Sequence, residues 1–180
     1  MVCFHFSPPI HDVVLIHSFI IGCPIAWMVS SNATEATIDY FIATLWKHNP
    51  SIIPTRWMSD FCKEQLKVLD SYYPDSVIYL CWWHVLHVWQ QHLVILHYKD
   101  LWTLLKGWVH IAEQSEFDMC WAKVQQLAPK SFIDYITTTW MPVVKLWSAI
   151  WWTDRTIFEF SETNMLVESY VHWTVTEGFS

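Results

Sequence analysis

The stretch IIPTRWMSDFCKEQLKVLDSYYPDSVIYLCWW, residues 52–83, decides the fold class. Ile52 to Met58 reads as extended chain, with Pro54 near its start, and it delivers Ser59-Asp60. A helix follows, because Cys62, Leu66, Leu69 and Tyr73 recur at helical spacing on one face. Pro74 stops it, having no N–H to continue the ladder. Val77–Cys81 is then apolar and β-branched without polar alternation, as a strand buried on both faces is. Strand, helix and strand in succession predict an α/β chain.

Working outward, Val13–Ile21 and Pro24–Ser30 predict an antiparallel strand pair turning at Gly22. A membrane span over Val13–Val29 is the rival reading, but His17 interrupts it and Gly22-Cys23-Pro24 breaks it. Asn32, with Glu35 three residues on, predicts a capping box. Ile38, Phe41, Ile42, Leu45 and Trp46 mark the helix that follows, which ends at His48-Asn49-Pro50. Beyond Trp82 the strands stop. Helices are predicted around Val85–Leu96, Leu101–Ala112, Phe117–Leu127, Phe132–Trp140 and Val144–Trp151, and a last one over Glu162–Trp173. The simplest architecture is a mixed sheet with helices on both faces, carrying an all-helical block at about residues 85–150.

Composition bounds the function. The chain has 180 residues, 53% of them hydrophobic and 15% charged, so it is expected to fold as one domain with a sizeable core. Its net charge is −7 and its ten Lys and Arg form no run, which is not the footprint of a protein that grips DNA by itself. Five Cys at wide spacing, with no CxxC, predict neither a disulfide framework nor a four-cysteine zinc site. A nuclear or cytoplasmic, non-secreted protein is expected, without a membrane partner. Three Gly exclude a glycine-rich phosphate loop, and neither G-x-S-x-G nor H-E-x-x-H occurs.

Candidate site residues are few. Asp60 ends a strand, where ligands of open α/β sheets gather, and its carboxylate suits a hard divalent cation. The bland alternative is that Asp60 or Ser59 caps the next helix. Cys81-Trp82-Trp83-His84 places two zinc-competent side chains at a strand–helix junction, although a structural zinc site takes four ligands. The alternative there is a buried Cys and a hydrogen-bonded His that lock strand to helix. Glu168 lies on the last predicted helix, where a lone Glu is usually a solvated residue, and Asp154-Arg155 reads as a local ion pair.

The order of these landmarks carries a resemblance. Gly22-Cys23-Pro24-Ile25-Ala26-Trp27, then Met58-Ser59-Asp60, then Tyr73-Pro74, then Ile78-Tyr79-Leu80-Cys81-Trp82-Trp83-His84-Val85 with Trp89, and finally Thr163-Asn164, Glu168-Ser169 and His172 stand in sequence. Together they resemble the catalytic domain of Mutator-like element transposases, of the DDE superfamily, across about residues 20 to 173. The C-x-x-H block is the most specific piece. The resemblance implies an RNase H-like fold with a helical insertion before the last catalytic helix. It also implies a triad of two Asp and one Glu holding two Mg²⁺ or Mn²⁺ for DNA strand cleavage and transfer. Asp60 and Glu168 would be metal ligands, and transposon-end DNA the partner, in a family that admits homo-oligomers. Cys81 and His84 would steady the scaffold, contact DNA or hold a structural zinc.

The chain departs from that pattern at both ends. The first Asp belongs on a strand ahead of Val13, and that strand is expected to be missing. Asp12 is the only carboxylate in the first 30 residues, at the start of the second strand, and is a poor substitute. Thr174–Ser180 is unlike the Lys-rich helix with which the family continues. The expectation is a single truncated, inactive catalytic domain. The alternative is a non-enzymatic interaction protein that reuses the fold and binds a partner through its aromatic surface.

Overall fold

The computed structural model describes residues 2–3, 12–18, 23–30, 32, 34–51 and 53–152. They form a mixed α/β structure that is mostly helical. The chain divides into two compact units, whose described parts meet along the sequence between Cys81 and Trp82.

The first unit holds a five-stranded sheet, β1 (Val2–Cys3), β2 (Asp12–Ser18), β3 (Cys23–Ser30), β4 (Arg56–Ser59) and β5 (Val77–Leu80), in the order β3-β2-β1-β4-β5. β1 runs antiparallel to β2 and parallel to β4, β2 pairs antiparallel with β3, and β4 pairs parallel with β5. The predicted antiparallel pair is thus present, with a register shift between Ile16 and His17, while the expected turn at Gly22 lies outside the described residues. The missing-strand expectation needs correction. Val2–Cys3 occupies the central slot, opposite Ser18 and His17 on one side and Trp57 and Met58 on the other.

Helices α1 (Glu35–His48) and α2 (Lys63–Tyr72) fill the connections before and after β4. α1 begins at Thr34 rather than Asn32. Thr34 has extended backbone and its hydroxyl accepts from the Thr37 N–H, which is one of the donors that a helix start leaves unpaired. Asn32 instead accepts from the Thr37 hydroxyl through Oδ1 at 2.6 Å, so it braces the cap from outside. Ile38, Phe41 and Ile42 of α1 pack with Val68, Leu69 and Tyr73 against Trp57 of β4. Ala26, Met28 and Ile78 border this core. Trp57 and Ile78 are paired positions, and Ala26 and Met28 are two apart, so α1 and α2 share one face of the sheet. Met58 and Tyr79 take the opposite face and are also buried.

The second unit is helical: α3 (Trp82–Gln91), α4 (Lys99–Trp108), α5 (Gln114–Leu127), α6 (Lys130–Tyr135) and α7 (Val144–Trp147). Between α6 and α7 the chain widens to a π-helical turn over Ile136–Trp140 and then tightens to a 3-10 turn over Met141–Val143. The predicted helix over Phe132–Trp140 is present with this distortion. α3 ends at Gln91, short of Leu96, and α4 ends before Ala112.

Tryptophans make this second core. Trp89, Trp108, Trp140 and Trp147 are fully buried. The Trp89 ring meets Trp140 at 5.7 Å and Trp147 at 5.1 Å, both edge-on. Trp108 stacks on Trp121 at 5.1 Å, and Trp82 on Trp152 at 4.2 Å. Edge-on and offset contacts are the arrangements that the ring quadrupole favours. Two indoles also tie the backbone: Trp82 donates to the Trp147 carbonyl at 2.6 Å, and Trp147 to the Trp140 carbonyl at 2.9 Å.

Candidate functional site

The sheet brings two of the predicted site residues to one edge. β4 and β5 run parallel, with Ser59 opposite Leu80, so Asp60 and Cys81 leave the sheet side by side. The Cys81 N–H donates to the Ser59 carbonyl at 2.9 Å, carrying the pairing to the last position. Strand direction adds a third residue. β2 opposes β1, and β1 follows β4, so β2 starts on the edge where β4 ends, and its first residue is Asp12.

Asp60 is half-buried and lies two residues before the N-cap position of α2. The N-cap of α2 is Cys62, whose side chain makes no cap bond, and α2 opens at Lys63. The Asp60 carbonyl accepts from the Cys62 N–H at 2.8 Å, which folds the chain sharply after the strand. The Ser59 hydroxyl lies 2.8 Å from the same carbonyl and 2.8 Å from Oε1 of Gln65. Both Ser59 and Gln65 are fully buried, in a core that is otherwise apolar.

Beside Asp60, Cys62 is held as a neutral thiol. Burial pushes it up; the Gln65 backbone N–H opposes this, while the Glu64 carboxylate, which accepts its S–H at 3.4 Å, adds to it. Glu64 is held below the usual carboxylate range by its own backbone N–H first and then by Cys62.

The C-x-x-H pair is split between the units. Cys81 closes the sheet unit and is fully buried, whereas His84 stands half-buried on the first turn of α3. Trp83 presents its ring to the edge of His84 at 4.8 Å and stacks on His87 at 5.0 Å. His92 stacks on Tyr135 at 3.8 Å. Among the described residues no three His, Cys, Asp or Glu side chains converge as a metal-holding group. Of the two residues that the resemblance implies as metal ligands, Asp60 is described, while Glu168, with Asp154-Arg155 and the predicted helix over Glu162–Trp173, lies outside the described residues. No described helix is long and apolar enough to cross a membrane.

Sequence reading missed Gln65. Its signal was a polar residue one turn before Leu69 on α2, but the expected face through Cys62 and Leu66 was set one position off. The buried side chains of α2 are Gln65, Val68 and Leu69.

No protein-family model and no curated protein matches this chain.

Proposed function

We propose that this chain is the catalytic core of a Mutator-like DNA transposase on an RNase H-like fold, inactive because the first carboxylate position is unfilled. The observation that carries the reading is the place of Asp60. It directly follows β4, the strand parallel and next to β1, in a sheet ordered β3-β2-β1-β4-β5 with β2 as the antiparallel member between β3 and β1. An RNase H-like fold arranges its five strands in this order. A helical unit beginning at Trp82 supports the reading, because the resemblance implies a helical insertion before the last catalytic helix.

In this reading Asp60 and Glu168 hold Mg²⁺ or Mn²⁺, which when bound activates the attacking oxygen and stabilises the leaving one. The chain's own part is to hold a carboxylate at the strand end by fixing the backbone beneath it. β1, Val2–Cys3, offers no carboxylate, and Asp12 begins the neighbouring antiparallel strand instead. Two-metal transfer depends on both metal positions, so strand cleavage is not expected from this chain. Transposon-end DNA is the partner in the parent activity. Zinc at Cys81 and His84 would have to recruit further ligands.

The test is Mn²⁺ titration of the full chain, followed by paramagnetic broadening at Asp60, beside a plasmid-nicking assay. Broadening that vanishes in Asp60→Asn, with no nicking above that variant, is expected. Absence of any Mn²⁺ effect at Asp60 sinks the metal reading and leaves the fold to a binding role. The exposed rings of Trp46, Trp83 and Trp151 favour that second reading.

A further inference from the structure

We infer that Gln65 is a positioning residue that acts through Ser59 to fix Asp60 at the end of β4. The metal part of this inference rests on the reading above; the structural part does not. A Ser hydroxyl has one proton, yet the Ser59 oxygen lies 2.8 Å from two acceptors, the Asp60 carbonyl and Oε1 of Gln65. The Gln65 Nε2, equally buried, has no hydrogen-bond partner among the described residues. A half-turn of the amide resolves both problems. Gln65 Nε2–H then donates to Ser59 Oγ, and the Ser59 hydroxyl donates onward to the Asp60 carbonyl. The orphaned atom becomes a carbonyl oxygen, which tolerates burial without a partner better than an N–H does.

The relay has a direction. It starts beside the α1–α2 core, where a buried polar side chain is costly unless paired, and it ends on the backbone carbonyl of Asp60. That carbonyl also accepts the Cys62 N–H. With two donors on one oxygen, the peptide after Asp60 has its orientation set from both sides. A core packed only for stability would place an aliphatic residue at position 65, as it does at Val68 and Leu69.

The experiment is amide hydrogen exchange on the full chain, with Mn²⁺ titration of the same samples. Gln65→Met keeps the length and apolar packing of the side chain and removes the amide, so the fold should persist. Exchange of the Cys62 amide should rise roughly tenfold while the Tyr73 amide, bonded to Leu69 O on the same helix, stays unchanged. Ser59→Ala should do the same, the double variant should add nothing, and Ser59→Thr, which keeps the hydroxyl, should restore protection. Mn²⁺ affinity at Asp60 should fall about 10- to 100-fold in Gln65→Met, the range for a lost supporting hydrogen bond. Equal changes at Cys62 and Tyr73, or none at Cys62, overturn the relay. If the unaltered chain shows no Mn²⁺ effect at Asp60, the metal reading fails, while the exchange comparison still decides the relay.

Discussion

The two units of this chain solve burial with different chemistry. The sheet unit packs aliphatic side chains from α1 and α2, with Phe41 and Tyr73, around Trp57 and admits a polar pair, Ser59 and Gln65, next to its strand ends. The helical unit packs indole on indole. Its hydrogen bonds between Trp82, Trp147 and Trp140 run inward, from side chain to backbone, and are spent on holding the core. The contrast teaches where chemistry can be housed. A core of large rings is rigid and turns the indole N–H groups that it pairs, those of Trp82 and Trp147, onto its own backbone, while a sheet with parallel strand ends leaves backbone and carboxylate groups at its edge.

The largest expected effect is Trp147→Ala. Removing a fully buried indole should cost about 3–5 kcal/mol. In native-state exchange, amides of the helical unit such as Leu105 should lose protection while Ile42 in the sheet unit keeps it. Equal losses in both would show one cooperative core and break the comparison.

A finer contrast lies within the tryptophan core. Trp147→Phe removes a ring and a hydrogen bond to the Trp140 carbonyl, whereas the Trp89 indole N–H has no hydrogen-bond partner among the described residues. Denaturant unfolding should show Trp147→Phe costing about 1–2 kcal/mol more than Trp89→Phe. Equal costs would mean that the indole bonds contribute nothing beyond packing.

Smaller effects belong to the sheet unit's surface. Thr34→Ala should cost about 1 kcal/mol by unmaking the cap of α1, and Asn32→Ala less, since its contact is with the Thr37 hydroxyl. Lys67→Ala should change the unfolding midpoint by less than about 0.5 kcal/mol equivalent. Its 2.6 Å pair with Glu35 joins α2 to α1, but Lys67 and Glu35 are 69% and 48% exposed.

Much of the sheet unit was legible because its signals are local. Two apolar runs either side of Gly22-Cys23-Pro24 read as a strand pair, Pro74 follows the end of α2, and the apolar run at Ile78–Leu80 marks a strand, although β5 stands last in the sheet order with Val77 exposed rather than buried on both faces. Asp60 at a strand end followed from the same reasoning. The cap of α1 was misplaced because Asn32 and Thr34 both carry capping chemistry, and backbone angle decides between them. β1 could not be read from two residues, since Val2 and Cys3 become a strand only through pairing with chain far away. Gln65 was hidden for a related reason. Its partner Ser59 lies six positions back on a strand, a relation that no periodicity encodes.

β1 has a kinetic meaning. β2 and β3 pair only a few residues apart in sequence, and β4 and β5 close over one helix, so each half of the sheet forms from near neighbours in the chain. The halves are sewn together by Val2 pairing with Trp57. That pairing spans the longest stretch of chain in the sheet and, among the described residues, covers two positions only, Val2 with Trp57 and Cys3 with Met58, so its entropy cost is large for what it gains. On chain entropy, β1 is therefore expected to join the sheet after its two halves, and the strand-end edge beside Asp60 to be complete only once it has joined.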